Sequence, residues 1–258
     1  MQDLPFPPDY QLTQADAQIV LDYCCNDLDN TELLYNELKS EIALRVSMSD
    51  QFQVDLRSKS DAQIAESVIC KELQKVLGYY PQSIPLDKQS KAPIRYTAPS
   101  FIGFQTAELQ SILTTLQQTE FELDYQGSPI MPTVHTVQLG QMVYKLGMGG
   151  LHSTETCTAH VADEQTIIAD NDVESFYPRT VLNQRLCPPH LGESFLTVYE
   201  GLVNTRLYAK SLAKSGDKKA QTYADTLKIT INGCFGKLGN QYSALYAPQL
   251  MLQVTITG

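Results

Sequence analysis

Ile167-Ile168-Ala169-Asp170-Asn171-Asp172-Val173-Glu174-Ser175-Phe176-Tyr177-Pro178 is the stretch around which the chain is organised. An apolar start running into carboxylates predicts a buried β-strand that ends at a charged site, with Pro178 closing it. A carboxylate at the end of a core strand sits where a hard cation can bind. Asp172 offers a side-chain oxygen and Val173 its backbone carbonyl. The same residues also read as an Asp capping the next turn.

The second informative stretch is Lys228-Ile229-Thr230-Ile231-Asn232-Gly233-Cys234-Phe235-Gly236-Lys237. Asp172-x-x-Ser175-Phe176-Tyr177-Pro178 followed by Lys228-x-x-x-Asn232-x-x-Phe235-Gly236 resembles motifs A and B of family B DNA polymerases. The resemblance implies an α+β fold, the middle of such an enzyme. Residues 1–46 correspond to the terminal helix of the exonuclease, 47–140 to a connecting region, and 141–190 to the start of the palm sheet with motif A. Residues 191–240 correspond to the helical-hairpin fingers with motif B, and 241–258 to a truncated return to the palm. The implied function is template-directed DNA polymerisation by two-metal nucleotidyl transfer in a phage-like, nucleic-acid-primed enzyme. Mg²⁺ or Mn²⁺ is the implied cofactor, dNTPs the substrates and a DNA primer-template the partner.

By the same resemblance, Asp172 bridges the metals with the Val173 carbonyl beside it, and the backbone at Ser175 and Phe176 meets the triphosphate. Tyr177 lies under the sugar and rejects a 2′-hydroxyl. Lys228 reaches the phosphates, helped by Arg206 and Lys210, while Asn232, Phe235 and Gly236 line the nascent base pair. Gly149 and Gly150 stand in a Tyr-x-Gly-Gly-like element that contacts DNA, although Gly147 replaces its Tyr, and Lys237 joins them. Tyr23-x-x-x-Asp27 is similar to the third exonuclease motif, where the Asp holds a metal and the Tyr orients water.

The departures are as informative. The Asp-Thr-Asp turn that carries the second polymerase carboxylate does not occur before Gly258, and the first two exonuclease motifs do not precede Tyr23. Asp170 is the one substitute carboxylate near Asp172. The isolated chain is therefore expected to be inactive, with the third motif supplied by missing flanks or a second chain. The alternative is a non-catalytic nucleic-acid-binding remnant.

The net charge of −10 argues against a nucleic-acid binder until its distribution is seen. Residues 201–240 carry seven Lys or Arg against Asp217 and Asp225, whereas residues 1–60 carry eleven acids against four bases. Positive charge thus gathers where a triphosphate would arrive. Lys214, Lys218 and Lys219 are assigned to a solvated surface. The six cysteines form no disulfide-like spacing, and His152, Cys157 and His160 lack a fourth ligand for zinc. With no secretory leader or apolar span in the sequence, the chain is expected in the cytoplasm, away from membranes.

Periodicity predicts the remaining elements. A helix starts at Thr13-x-x-Asp16 and continues past a kink near Asn26, and residues 47–60 read as a loop. Ser60 caps a strongly amphipathic helix that Gly78 ends. Residues 79–99 hold four prolines and read as a loop, before a helix through Leu109 and Leu116. Phe121, Leu123 and Tyr125 alternate toward a turn, and Val143–Leu146 reads as a strand. Two helices joined by Ser215-Gly216-Asp217 form a hairpin from about Glu193 through motif B.

Overall fold

The computed structural model of the chain describes residues 3–140 and 142–258. The fold is α+β: eight α-helices and one three-stranded antiparallel sheet among the described residues. It divides into a first unit ending at Arg57 and a second running from Ser58 to Gly258. No helix among the described residues is long and apolar enough to cross a membrane.

The first unit holds α1 (Ala17–Glu37) and α2 (Lys39–Phe52). Thr13 and Asp16 form the expected capping box, with the Thr13 amide donating to the Asp16 carboxylate at 2.8 Å. α1 runs without a break through Asn26, where a kink was expected, and Asn30 Nδ2 donates to Asn26 Oδ1 at 2.9 Å along the helix. The break falls instead at Leu38. The loop expected over residues 47–60 is also shorter, because α2 runs to Phe52. Met48 and Phe52, one turn apart, are both buried, an apolar spacing masked in sequence by the polar residues between them.

The second unit is built on three helices: α3 (Asp61–Leu77), α6 (Gly192–Ala213) and α7 (Lys218–Leu238). Ser60 Oγ accepts from the Gln63 amide while Gln63 Oε1 accepts from the Ser60 amide, and Gly78 ends α3 at φ +79°. Ile64, Val68 and Leu73 of α3 and Leu227, Ile231 and Cys234 of α7 are all buried, and α7 packs against both α3 and α6 in a core excluded from water. Asp217 starts α7 by accepting from the amides of Lys219 and Ala220. Tyr199 of α6 donates its buried hydroxyl to the Ile231 carbonyl of α7 at 3.2 Å, which ties the two arms of the hairpin together.

A second core gathers Tyr96, Leu116, Phe121 and Leu252, fed by α4 (Ala107–Gln118) and α8 (Pro248–Thr257). Phe121 bridges to Ile94 and Leu123 to Pro129, so the alternating segment makes isolated bridges around a tight turn and no full strand. The sheet is β1 (His135–Leu139), β2 (Met142–Gly147) and β3 (Gly150–Ser153) in that order, with Val137 opposite Tyr144 and Gly147 opposite Gly150. Residues 241–258 end in a helix, α8, and add no strand to a palm sheet.

The largest departure is at the organising stretch itself. Residues 154–173 form neither helix nor strand, and Ile167 is 91% exposed. The strand expected there lacks a hydrogen-bonding neighbour among the described residues, since β3 pairs only with β2. Asp170-Asn171-Asp172 adds three residues that favour turns over a ladder. Beyond it the chain enters α5 (Phe176–Asn183), with Pro178 tolerated in the first turn.

This packing generates two expectations. A Cβ at Gly233 would stand 2.6 Å from the Asp61 carbonyl oxygen and 2.9 Å from Ala65 Cβ. Gly233→Ala is therefore expected to destabilise the protein by about 1–3 kcal/mol in a denaturation midpoint, despite better helix propensity. An unchanged midpoint would show that α3 and α7 are not this close. Burial also pushes the Cys70 thiol up to about 12 and that of Cys234 well above its ordinary value. Iodoacetamide at mildly alkaline pH should then modify exposed Cys24, Cys25 and Cys157 and spare Cys70 and Cys234 until the protein is denatured. Rapid labelling of Cys234 in the folded protein would contradict this core.

Candidate nucleotide cleft

A cleft of about 1050 Å³ opens between the α6–α7 hairpin, the start of α5 and the β2–β3 turn. Its size lies at the upper end of small-molecule clefts. Asp172 to Tyr177 form one wall and Lys228, Asn232 and Phe235 another, so the two sequence motifs share this space. The hairpin helices place them. Leu227, Ile231 and Cys234 are buried, with Ile231 and Cys234 at the inner wall of the cleft, and the neighbouring stripe of Lys228, Asn232 and Phe235 lines it beside them.

Tyr177 stacks on Phe235, with ring centroids 4.7 Å apart and planes at 29°. Phe176 tilts against Tyr177 at 5.8 Å. This aromatic cluster gives the cleft an apolar floor beside its charged rim. Phe195 and Tyr199 extend that floor, two residues absent from the motif-based prediction because their spacing is simply that of a core-facing helix.

The charges on the rim are nearly balanced. Arg206, Lys210, Lys214 and Lys228 face Asp172, Glu174 and Asp225. Lys214, assigned in sequence to a solvated surface, thus belongs to the cleft, because it succeeds Arg206 and Lys210 at four-residue steps along one face of α6. Lys210 Nζ donates to Glu174 Oε1 at 2.6 Å, and Arg206 Nη1 donates to Ser175 Oγ at 3.2 Å. Lys210 above all, with Lys214 and Arg206, holds the Glu174 carboxyl below its ordinary range. Asp225 is occupied by the Gln221 side-chain amide at 2.9 Å. Ser175 itself adopts a left-handed conformation at φ +55°, a strained state that needs its surroundings to hold it.

Several sequence candidates lie elsewhere. Gly150 lines the cleft, while Gly149 sits in the two-residue turn beside it, its carbonyl oxygen 3.0 Å from the His152 ring nitrogen Nε2. Gly236 lies outside the cleft lining and approaches Ala62 of α3. Lys237 turns away as well, into a largely buried ion pair with Glu66 at 2.8 Å. Glu66 also accepts from the Ala244 amide, so Lys237 closes a structural network and is not held out to DNA. Tyr23 and Asp27 are in the first unit, where the Asp27 charge and its hydrogen bond push the Tyr23 phenol up. His160 pairs with Glu155 and His152 with Gly149, so the residues considered for zinc do not converge.

The side chains around Asp172 do not fit a pair of divalent metals. Asp172 is exposed and Val173 stands beside it in the cleft, but Glu174 is taken by Lys210 and Asp170 is outside the lining. Among the described residues no three His, Cys, Asp or Glu side chains stand together as a metal site. The chain matches no protein-family model, no curated protein and no solved structure.

Proposed function

We propose that the chain carries the nucleotide-binding cleft of a family B-like DNA polymerase, as a segment of the palm and fingers. The observation that supports this most directly is convergence. Residues of both motifs, more than fifty positions apart in sequence, line one cleft with four cations and a stacked aromatic pair. Lys228, Lys210 and Arg206 suit a triphosphate, and the Tyr177–Phe235 pair suits a sugar and base. The exonuclease-like pair Tyr23 and Asp27 would be a remnant of the neighbouring module.

Nucleotidyl transfer in such enzymes rests on two divalent cations, Mg²⁺ or Mn²⁺, which clamp the attacking and leaving oxygens. This chain's cleft offers one uncommitted carboxylate, Asp172, too few to hold that pair. The part its residues play is to bind and orient: cations take the polyphosphate and the ring of Tyr177 packs under the sugar. A second carboxylate has to come from beyond these residues, on a flank or a second chain. The single carboxylate also favours a second reading, a non-catalytic nucleic-acid-binding relative of the same fold.

Two experiments test this reading. With primer-template, four dNTPs and Mg²⁺ or Mn²⁺, the chain alone is expected to bind DNA weakly and extend nothing, because losing even one well-placed electrostatic element lowers rate about a hundredfold or more. Extension that disappears in Asp172→Asn would show that the chain assembles the metal pair after all. Failure of the chain to bind either DNA or dNTP would remove the polymerase reading. In a complete enzyme containing this segment, Tyr177→Ala is expected to raise ribonucleotide incorporation with the fold intact. Unchanged discrimination would remove Tyr177 from that role.

A further inference from the structure

Arg206 and Lys210 of α6 are not waiting free for a ligand; the segment that carries Asp172 already occupies them. Arg206, Lys210 and Lys214 stand four residues apart on one helix face and form a ladder of positive charge along the cleft. Glu174 and Ser175 lie across that ladder. The Glu174 carboxylate takes Lys210 at 2.6 Å and the Ser175 hydroxyl takes Arg206 at 3.2 Å. All three bases act electrostatically on Glu174.

We propose that Glu174 is an internal stand-in for substrate phosphate, a latch that holds the 172–175 segment against α6 until a polyphosphate displaces it. The inference rests on the reading of this cleft as a polyphosphate site. Three further observations favour a displaceable contact over a structural one. The Lys210–Glu174 pair is open to solvent, with side chains 42% and 61% exposed, and exposed pairs contribute little to stability and are screened by salt. Ser175 sits at a left-handed φ of +55° at the N-cap of α5, beside the latch, the kind of strained residue that gathers at ligand clamps and switch segments. The Arg206 guanidinium is incompletely satisfied, with its Nε buried and lacking a hydrogen-bond partner. A buried charged donor without an acceptor is unfavourable, and a rearrangement that brings phosphate oxygens to this guanidinium gives it the bidentate acceptor it lacks.

A carboxylate and a polyphosphate compete for the same ladder, because two anions at one cluster of cations repel each other. Glu174 therefore lowers affinity for the polyphosphate while keeping the cations ordered in its absence. It also couples ligand arrival to release of the segment bearing Asp172, so that the carboxylate is freed to move only when phosphate is present.

The test is binding of inorganic tripolyphosphate to the whole chain, by calorimetry at low salt with chelator present, for the wild type, Glu174→Gln and Glu200→Gln. Glu200 is exposed on α6 and lies outside the cleft lining, so its substitution controls for net charge. Glu174→Gln is expected to bind about three- to tenfold tighter than the wild type, from removal of one like charge near the ligand. Glu200→Gln is expected to match the wild type. Hydrogen exchange of residues 172–176 should also rise when tripolyphosphate binds the wild type. Equal affinities in the two variants, or weaker binding in Glu174→Gln, would overturn the latch. If binding is nevertheless present and falls in Lys228→Ala, the cleft reading survives that result. Absence of binding in all of the chains would overturn the latch and the cleft reading together.

Discussion

The close approach of α3 and α7 at Gly233 is the contact on which the rest of the second unit depends. With no side chain there, the α7 backbone lies against the Asp61 carbonyl and Ala65. That fixes the rotation of α7 about its axis. Once Gly233 faces α3, the helical repeat leaves Phe235 and Lys228 toward the opposite side, where the cleft opens. The Tyr199–Ile231 hydrogen bond then fixes α6 against α7, and with it the ladder of bases that faces Asp172. A single glycine on a packed face thus sets the aim of residues that never touch it.

The electrostatics of the cleft depend on where charge sits and not on its sum. A chain of net charge −10 still presents four cations in one concavity, because its acids concentrate in the first sixty residues. Low-dielectric walls of aromatic rings and aliphatic side chains make that local field felt. Asp172, Glu174 and Asp225 offset most of that charge, Glu174 by pairing directly with Lys210 at 2.6 Å, so the field is set by which cation each acid meets.

Helices α3, α4, α6 and α7 are legible in the sequence because each carries its own signal, whereas α5 and α8 are not among the expected elements. The capping box at Ser60, Gly78 at the end of α3, and Asp217 at the start of α7 are local chemistry, and the apolar stripes at helical spacing decide which face is buried. The stretch 167–173 misleads because a strand depends on a partner that its own residues do not specify. The pairing of Lys237 with Glu66 is hidden for a similar reason: 171 positions separate the two, and a lysine beside a motif carries no mark of which way it points. The cleft residues from Ser175 to Tyr177 are visible through their motif, while the Glu174–Lys210 contact is not, since neither residue is distinctive by type or spacing.

The most direct test of the account is to ask which residues meet the phosphate and base ends of one bound nucleotide. A dNTP carrying a photoreactive group on its terminal phosphate can be crosslinked to the chain and the adducts located by mass spectrometry. The account predicts adducts on α6 and α7 within 206–214 and 228, competed by unmodified dNTP, and adducts at 175–177 and 235 when the reactive group is moved to the base. Competed adducts confined to segments outside the cleft, such as 59–83, would contradict it.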